Sequence, residues 1–532
     1  MSLPTLTPAD VRQALLAREE IALIDVREED PFAQSHPLWA ANFPLSLLEI
    51  EAWTRIPRRD TRIVVYGEYE GEDLAARAVP ILQSLGYTNV HLLAGGLDGW
   101  IAAGGEVFRD VNVPSKSFGE LVEAERHTPS LPAPAVQALL DAKADVVVVD
   151  ARRFDEYQTM NIPGSTSVPG AELVLRVREL APDPRTRVIV NCAGRTRSII
   201  GTQSLVNAGI PNPVAALRNG TIGWTLAGQK LERGAGRRFP APSAANVAAA
   251  RESARAVADR AGVRRLSIDG LQALDTPGRT VYRFDVRTPE EYADGHLPGF
   301  ASAPGGQLVQ ETDHNAPVRG ARIVLTDGDE GVRADMTASW LAQMGWEVYV
   351  LDGVTAAQRT ETGVRLRPAP DAPPVATVTP QQLADWLQRD GAGQTAVLDV
   401  TLSANYVRRH IPGAWYVLRA RLAKDFAKIP PASRYVLTCG TARLARFAAA
   451  DLRALTRADI YVLEGGTYAW IDAGLPLEEG ETRLASPRID RYRRPYEGTD
   501  NAAEAMQAYL DWEYGLVAQL GRDGTHHFRV IQ

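Results

Sequence analysis

Short runs of apolar, mostly β-branched residues recur along this chain, and each is followed at a nearly fixed distance by a second. The first of each pair reads ALIDVR (22–27), VVVDAR (147–152), YRFDVR (282–287) and AVLDVT (396–401). The second reads RIVVYG, RVIVNC, RIVLTD and RYVLTC, ending at Gly67, Cys192, Asp327 and Cys439. Asp25 to Gly67, Asp150 to Cys192 and Asp285 to Asp327 each span 42 positions, and Asp399 to Cys439 spans 40. Runs this short and continuously apolar predict strands buried on both faces, and such constancy predicts four copies of one fold.

Other landmarks keep the same order. Between the two strands lie HPLWAANFP (36–44), MNIPGSTSVP (160–169), EEYADGHLPGFASAP (290–304) and NYVRRHIPGAWYV (405–417). Downstream, a strand runs into a glycine turn that ends at Trp100, Trp224 or Trp470; the third copy, VLDGVTAAQ (350–358), lacks the tryptophan. Helical patterns such as ARLARFAAADLRAL (442–455) fill the intervals, and Thr7-Pro8 and Thr379-Pro380 read as helix starts. Strands alternating with helices predict an α/β class, each repeat a mostly parallel sheet flanked by helices. The boundaries fall at 1–125, 126–240, 245–369 and 371–485, with a helical tail at 486–532. The Pro/Ala-rich stretches 234–246 and 367–380 read as linkers. In the tail, Met506, Tyr509, Leu510, Leu516, Val517 and Leu520 fall on one helical face. Such a stripe needs a partner, either the repeats or a second copy in a homodimer.

Composition removes several function classes. The chain has 532 residues, net charge −7 and dispersed basic residues, which gives no nucleic-acid surface. It opens without a basic segment leading into an apolar one, and no apolar run approaches ~20 residues, so neither export nor membrane insertion is expected. The two cysteines stand 247 positions apart, which fits free thiols in a reducing cytoplasm better than a disulfide.

Cys192 and Cys439 each end a strand and open a loop. A loop entering a helix N-terminus turns backbone N–H groups inward, and the helix dipole adds positive charge, which favours a thiolate. Arg195 and Arg197 add formal charge beside Cys192, suited to an anionic donor. The loop of Cys439 carries Arg443 and Arg446 but no charge in its first three residues, so Cys439 is the second candidate. The first and third copies carry Gly67 and Asp327 where the nucleophile would stand, in acidic loops that repel an anion. DGDEG (327–331) lacks the remaining ligands of a calcium loop, and no metal or organic cofactor is expected.

The order D-x-R, H-x-P-G, strand-Cys-loop-helix and glycine turn-Trp resembles rhodanese domains, the sulfurtransferase superfamily, in four consecutive copies over about residues 1–485. The resemblance implies a six-residue loop that begins with cysteine and cradles a persulfide: Cys192, Ala193, Gly194, Arg195, Thr196 and Arg197, followed by Ser198. In the fourth copy it is Cys439, Gly440, Thr441, Ala442, Arg443 and Leu444. Both loops depart from the commonest pattern, which has arginine directly after the cysteine. The resemblance implies a small sulfur donor such as thiosulfate, a thiol or cyanide acceptor, and two tandem enzymes in which each cysteine-free repeat supports the cysteine-bearing repeat after it.

Two other classes of protein bear on these loops. Cysteine phosphatases and arsenate reductases need Cys-x5-Arg, a position held here by Ser198 and Ala445. A non-catalytic binding scaffold would suit the acidic loops. The aspartates 25, 150, 285 and 399 read as structural, ion-paired with the arginines two residues on where those exist. A histidine needed by both sites is excluded, because the second copy has Asn161 where the fourth has His410. The glycine-turn tryptophans read as core, and His526-His527 as a solvated pair.

Overall fold

The computed structural model describes residues 3–364, 368–389, 391 and 393–532; Arg367, the first residue of the second Pro/Ala-rich stretch, lies outside them. In the second repeat, five parallel strands stand in the order Thr166–Ser167, Val146–Asp150, Arg187–Asn191, Val214–Leu217 and Ser130–Leu131. The other three repeats reproduce this order strand for strand. The central strand of each is buried over its last four residues, as a sheet covered on both faces requires. Helices begin where the sequence places them: Thr7 forms a capping box with Asp10, and Thr379 exchanges bonds with Gln382. Asp25, Asp150 and Asp285 each pair with the arginine two residues on. Trp100, Trp224 and Trp470 are buried, each indole N–H donating to a backbone carbonyl.

Six helices outside or between the sheets position the site: α1 (Val113–Arg126), α2 (Thr196–Asn207), α3 (Ala244–Ala261), α4 (Val332–Gln343), α5 (Ala503–Tyr514) and α6 (Leu516–Asp523). The stretch read as a linker from 234 to 246 runs into α3, whose Ala250, Ala254, Val257, Ala258 and Ala261 are buried. Small side chains let α3 lie close along α4, a pattern that composition alone reads as linker.

The repeats do not pair in sequence order. The turn that leads from the short edge strand toward the central strand of each repeat makes the contact: 170–172 of the second meets 305–310 of the third, and 45–47 of the first meets 419–421 of the fourth. At the first junction, a Cβ on Gly306 would lie 3.1 Å from the Gly170 nitrogen. At the second, Ala420 N donates to Ser46 Oγ at 3.0 Å, and Arg419 binds both oxygens of Glu49. The expectation that each cysteine-bearing repeat leans on the one before it is therefore corrected for the fourth, which meets the first; the second meets the third at this turn while α1, at the end of the first repeat, packs along α2. A continuous apolar core links repeats one to three. Alanine at Gly305 would place Cβ 2.1 Å from Thr337 Oγ1 and 2.9 Å from the Ala171 Cβ. We expect Gly305→Ala to cost about 1–3 kcal/mol in thermal melts, with Gly236→Ala, which meets nothing within 4 Å, near neutral.

The tail docks on the repeats. Met506, Tyr509 and Leu510 pack with Ile222, and Leu516 and Leu520 enter the core of the first repeat; Val517 is half-buried. The chain breaks at Gly515 into two helices where one was expected. His526 and His527 are half-buried, not solvated: the first packs on the Phe528 ring and the second bonds Leu15 O.

Candidate active site

Cys192 sits between the strand Arg187–Asn191 and α2 and is 1% exposed. The glycine turn holds its loop from behind. Thr221 N donates to Cys192 O at 2.9 Å, Ile222 N donates to Ala193 O at 3.0 Å, and a Cβ on Gly220 would lie 2.3 Å from Cys192 O. Glycine is required there for close approach and for its φ of +54°. The fourth repeat repeats this with Gly466, Thr467 and Cys439 O.

The Cys192 thiol donates to Ser198 Oγ at 3.4 Å, and that hydroxyl donates to Arg195 O. Burial pushes the thiol up; the charge of Arg197 and the bond to Ser198 pull it back, and the Glu513 carboxylate opposes them. Desolvation thus outweighs the nearby charge that loop geometry was expected to supply in favour of a thiolate. Arg197 is held by both oxygens of Glu156, at 2.7 and 2.9 Å, and lines a chamber of about 890 Å³. Arg153, Glu311, Arg488, Arg491 and Arg494 also line it, so the second and third repeats, the end of the fourth and the tail enclose it together.

Arg195 turns away from this arrangement. Its guanidinium lies on both oxygens of Glu120, on Glu123, and on the Tyr514 hydroxyl at 3.0 Å. The sequence offered it as a ligand for an anionic donor; two carboxylates of α1 claim it instead, and it fastens the loop. Ala193, Gly194 and Thr196 are buried in the loop, with Gly194 covered by Tyr509 and Glu513 of the tail. The pair Glu120 and Glu123 stood on one face of an α1 pattern that carried no motif. Glu513 lay beside the tail's apolar stripe without being part of it.

Cys439 is 5% exposed. Burial raises its thiol, the backbone amides of Ala445, Thr441 and Leu444 lower it, and Asp399 raises it. Gly440 lies against the half-exposed Tyr468 ring, Thr441 is exposed, Ala442 has φ +67° and Arg443 opens the following helix. With Thr401 in place of the arginine found in the other copies, Asp399 has one oxygen without a partner, and burial pushes it up to about 7.

In the third repeat, Asp327 occupies the cysteine's place and is itself bound as an anion. Its oxygens accept from Arg333 Nε at 2.8 Å, Gly328 N and Ala334 N at 3.0 Å. In the first repeat the loop folds into a two-stranded hairpin, Glu68–Tyr69 with Glu72–Asp73. Among the described residues, no three or more His, Cys, Asp or Glu side chains are placed to hold a metal ion, and no helix is long and apolar enough to cross a membrane. His36, His296 and His410 are buried and bonded to backbone carbonyls.

Comparison with known proteins agrees with this architecture. The rhodanese-like domain model matches residues 7–103, 133–227, 270–357 and 379–473, and the chain belongs to that family, in four copies. A crystal structure of thiosulfate sulfurtransferase from Pseudomonas aeruginosa is 67% identical, covers all of both chains and superposes with a TM-score of 0.97. A curated thiosulfate sulfurtransferase of Azotobacter vinelandii is 25% identical over 37% of this chain and 79% of its own. Another, from Pseudomonas aeruginosa, is 31% identical over 26% of this chain; the match spans 58% of that protein.

Proposed function

We propose that the chain is a cytoplasmic sulfurtransferase that takes sulfane sulfur from thiosulfate or a related anionic donor onto Cys192 and passes it to a thiophilic acceptor. The observation that carries this reading is the buried cysteine at the head of a glycine-backed loop, with Arg197, whose charge acts on the thiol, lining an arginine-rich chamber. The Cys192 thiolate attacks the outer sulfur of thiosulfate, the S–S bond to the sulfonate breaks, and sulfite leaves with the electron pair. Amides of residues 193–198 stabilise the persulfide and Arg197 attracts the donor. An acceptor thiolate or cyanide then attacks the outer persulfide sulfur and releases Cys192. No metal takes part in either step.

Cys439 is the second site. Its amide cradle suits a persulfide, but burial and Asp399 oppose the thiolate. We expect Cys192→Ser to remove the bulk of thiosulfate:cyanide turnover and Cys439→Ser to leave most of it. Intact-mass spectrometry after thiosulfate should show an addition of ~32 Da, reversed by cyanide, as covalent sulfur transfer requires. The reverse ranking, or no adduct from any sulfane donor, overturns the assignment.

A further inference from the structure

The fourth repeat breaks a pattern that the other three keep. In those copies the aspartate that ends the first strand is gripped by the arginine two residues on: Arg27 on Asp25, Arg152 on Asp150 at 2.9 and 2.7 Å, and Arg287 on Asp285 at 2.9 and 2.6 Å. The same guanidinium also donates to a backbone carbonyl further along the chain, that of Ser35, Met160 or Gly295. In the fourth copy Thr401 holds the arginine's position. Asp399 is 0% exposed and keeps one bond, from Thr401 N to Oδ1 at 2.9 Å, while Oδ2 has no partner. A buried, half-satisfied carboxyl is costly.

That carboxyl stands beside the fourth nucleophile. Asp399 pairs in register with Thr438, the residue before Cys439, on the neighbouring parallel strand, which sets the two backbones about 5 Å apart. The second repeat answers the same charge twice. Asn191, paired with Asp150, donates its side-chain amide to Asp150 Oδ2 at 2.8 Å, and Arg152 supplies the opposing charge. In the fourth repeat Thr438 pairs its hydroxyl with that of Thr467 instead.

We propose that Asp399, left without an arginine by Thr401, makes the fourth repeat selective for sulfane donors that carry a single negative charge over the dianion thiosulfate. This deepens the persulfide reading for Cys439 and rests on it. With a thiosulfonate as donor, the Cys439 thiolate attacks the outer sulfur, the S–S bond breaks and a sulfinate leaves with the electron pair. Thiosulfate brings one more negative charge to a loop that already faces an unneutralised carboxylate. Burial pushes Asp399 up to about 7, so its charge appears as pH rises through that value and is absent below it. Cys439 and Tyr406 feel that charge. His410, stacked on Tyr406, bonds Tyr406 O and the Thr482 hydroxyl, not Asp399.

The test uses two full chains, one carrying Cys192→Ser to report Cys439 and one carrying Cys439→Ser to report Cys192. Each is treated with methanethiosulfonate, a monoanion, or with thiosulfate, and intact-mass spectrometry follows the growth of the ~32 Da adduct. The ratio of the two rates cancels the titration of the thiol itself. Above about pH 8 that ratio should favour methanethiosulfonate at Cys439 at least about tenfold more than at Cys192. The excess should fade below about pH 6, where Asp399 is neutral. In the Cys192→Ser chain, Thr401→Arg, which copies the other repeats, and the isosteric Asp399→Asn should each abolish it; either alone suffices if the other does not fold. Equal ratios at the two cysteines, or an excess that ignores pH or survives these replacements, overturn the proposal. If neither donor places an adduct on Cys439 at any pH, the persulfide reading of the fourth repeat fails and takes the proposal with it, a result distinct from adducts whose ratio does not move.

Discussion

Replacing Arg333 with methionine will destabilise the protein by about 3–5 kcal/mol, the range for removing one partner from a buried charge cluster. Arg333 is 0% exposed, on α4 of the third repeat, the helix that follows the loop of Asp327. Its guanidinium serves four carboxylates at once: Asp327 at 2.8 Å through Nε, Glu172 of the second repeat at 2.9 Å, Glu291 at 2.6 Å and Glu330 at 2.6 Å. Methionine fills much of the volume but leaves those acids facing one another in a low-dielectric site. The same residue holds the second repeat to the third through Glu172, so the loss should appear both as a lower melting temperature and as a weaker junction in limited proteolysis. Adding Asp327→Asn to Arg333→Met should recover part of the loss, since one carboxylate has then gone. An Arg333→Met protein that melts with the parent would mean that the cluster is already solvated or protonated.

Most of the repeat architecture was legible because it rests on local chemistry. Buried parallel strands force unbroken apolar runs, and the Asp-x-Arg pairs are set by residues two apart. The glycine turn must pass close to the loop carbonyls, so glycine recurs at Gly220 and Gly466. The tail's apolar stripe likewise announced that it needed a partner, although Gly515, which divides it into α5 and α6, reads as an ordinary glycine in a helical pattern. What the sequence could not show was which long-range partners would compete for a given side chain. Arg195 and Arg197 are two positions apart in one loop and look equivalent. Arg195 is taken by Glu120 and Glu123 from the helix before the repeat, and Arg197 pairs with Glu156 and lines the chamber. The crossed pairing of the repeats was hidden for the same reason. The contacting turns, 45–47, 170–172, 305–310 and 419–421, are related in all four copies, and what separates one pairing from another is long-range: Arg419 on Glu49 at one junction and Arg333 on Glu172 at the other.

Restoring a cysteine will not restore activity to the first or third repeat. In a Cys192→Ser, Cys439→Ser background, Asp327→Cys and Gly67→Cys should each leave thiosulfate:cyanide turnover at least about a thousandfold below the parent, a barrier difference of roughly 4 kcal/mol. The acidic composition of both loops suggests charge as the reason, and the structure refines it. In the third repeat the loop amides and Arg333 already serve a carboxylate. Removing Asp327 frees them, but Glu330 and Glu291 remain on Arg333 and still repel a dianionic donor. In the first repeat, Glu70 is neutralised by Arg421 at 3.0 Å and Lys424 at 2.8 Å from the fourth repeat, so charge alone is a weak barrier there. Geometry takes over. Gly67 has φ +147°, its Cβ would lie 3.0 Å from Val26 Cγ2, and the residues that should curl into a persulfide cradle form the hairpin of Glu68–Tyr69 with Glu72–Asp73. Two further variants separate the causes. Adding Glu330→Gln to Asp327→Cys should raise any ~32 Da adduct above the single replacement, because the obstacle there is electrostatic. Adding Glu70→Gln to Gly67→Cys should change nothing. Measurable turnover from either single cysteine would show that a nucleophile is all these repeats lack, and that neither the bound carboxylate nor the hairpin keeps them silent.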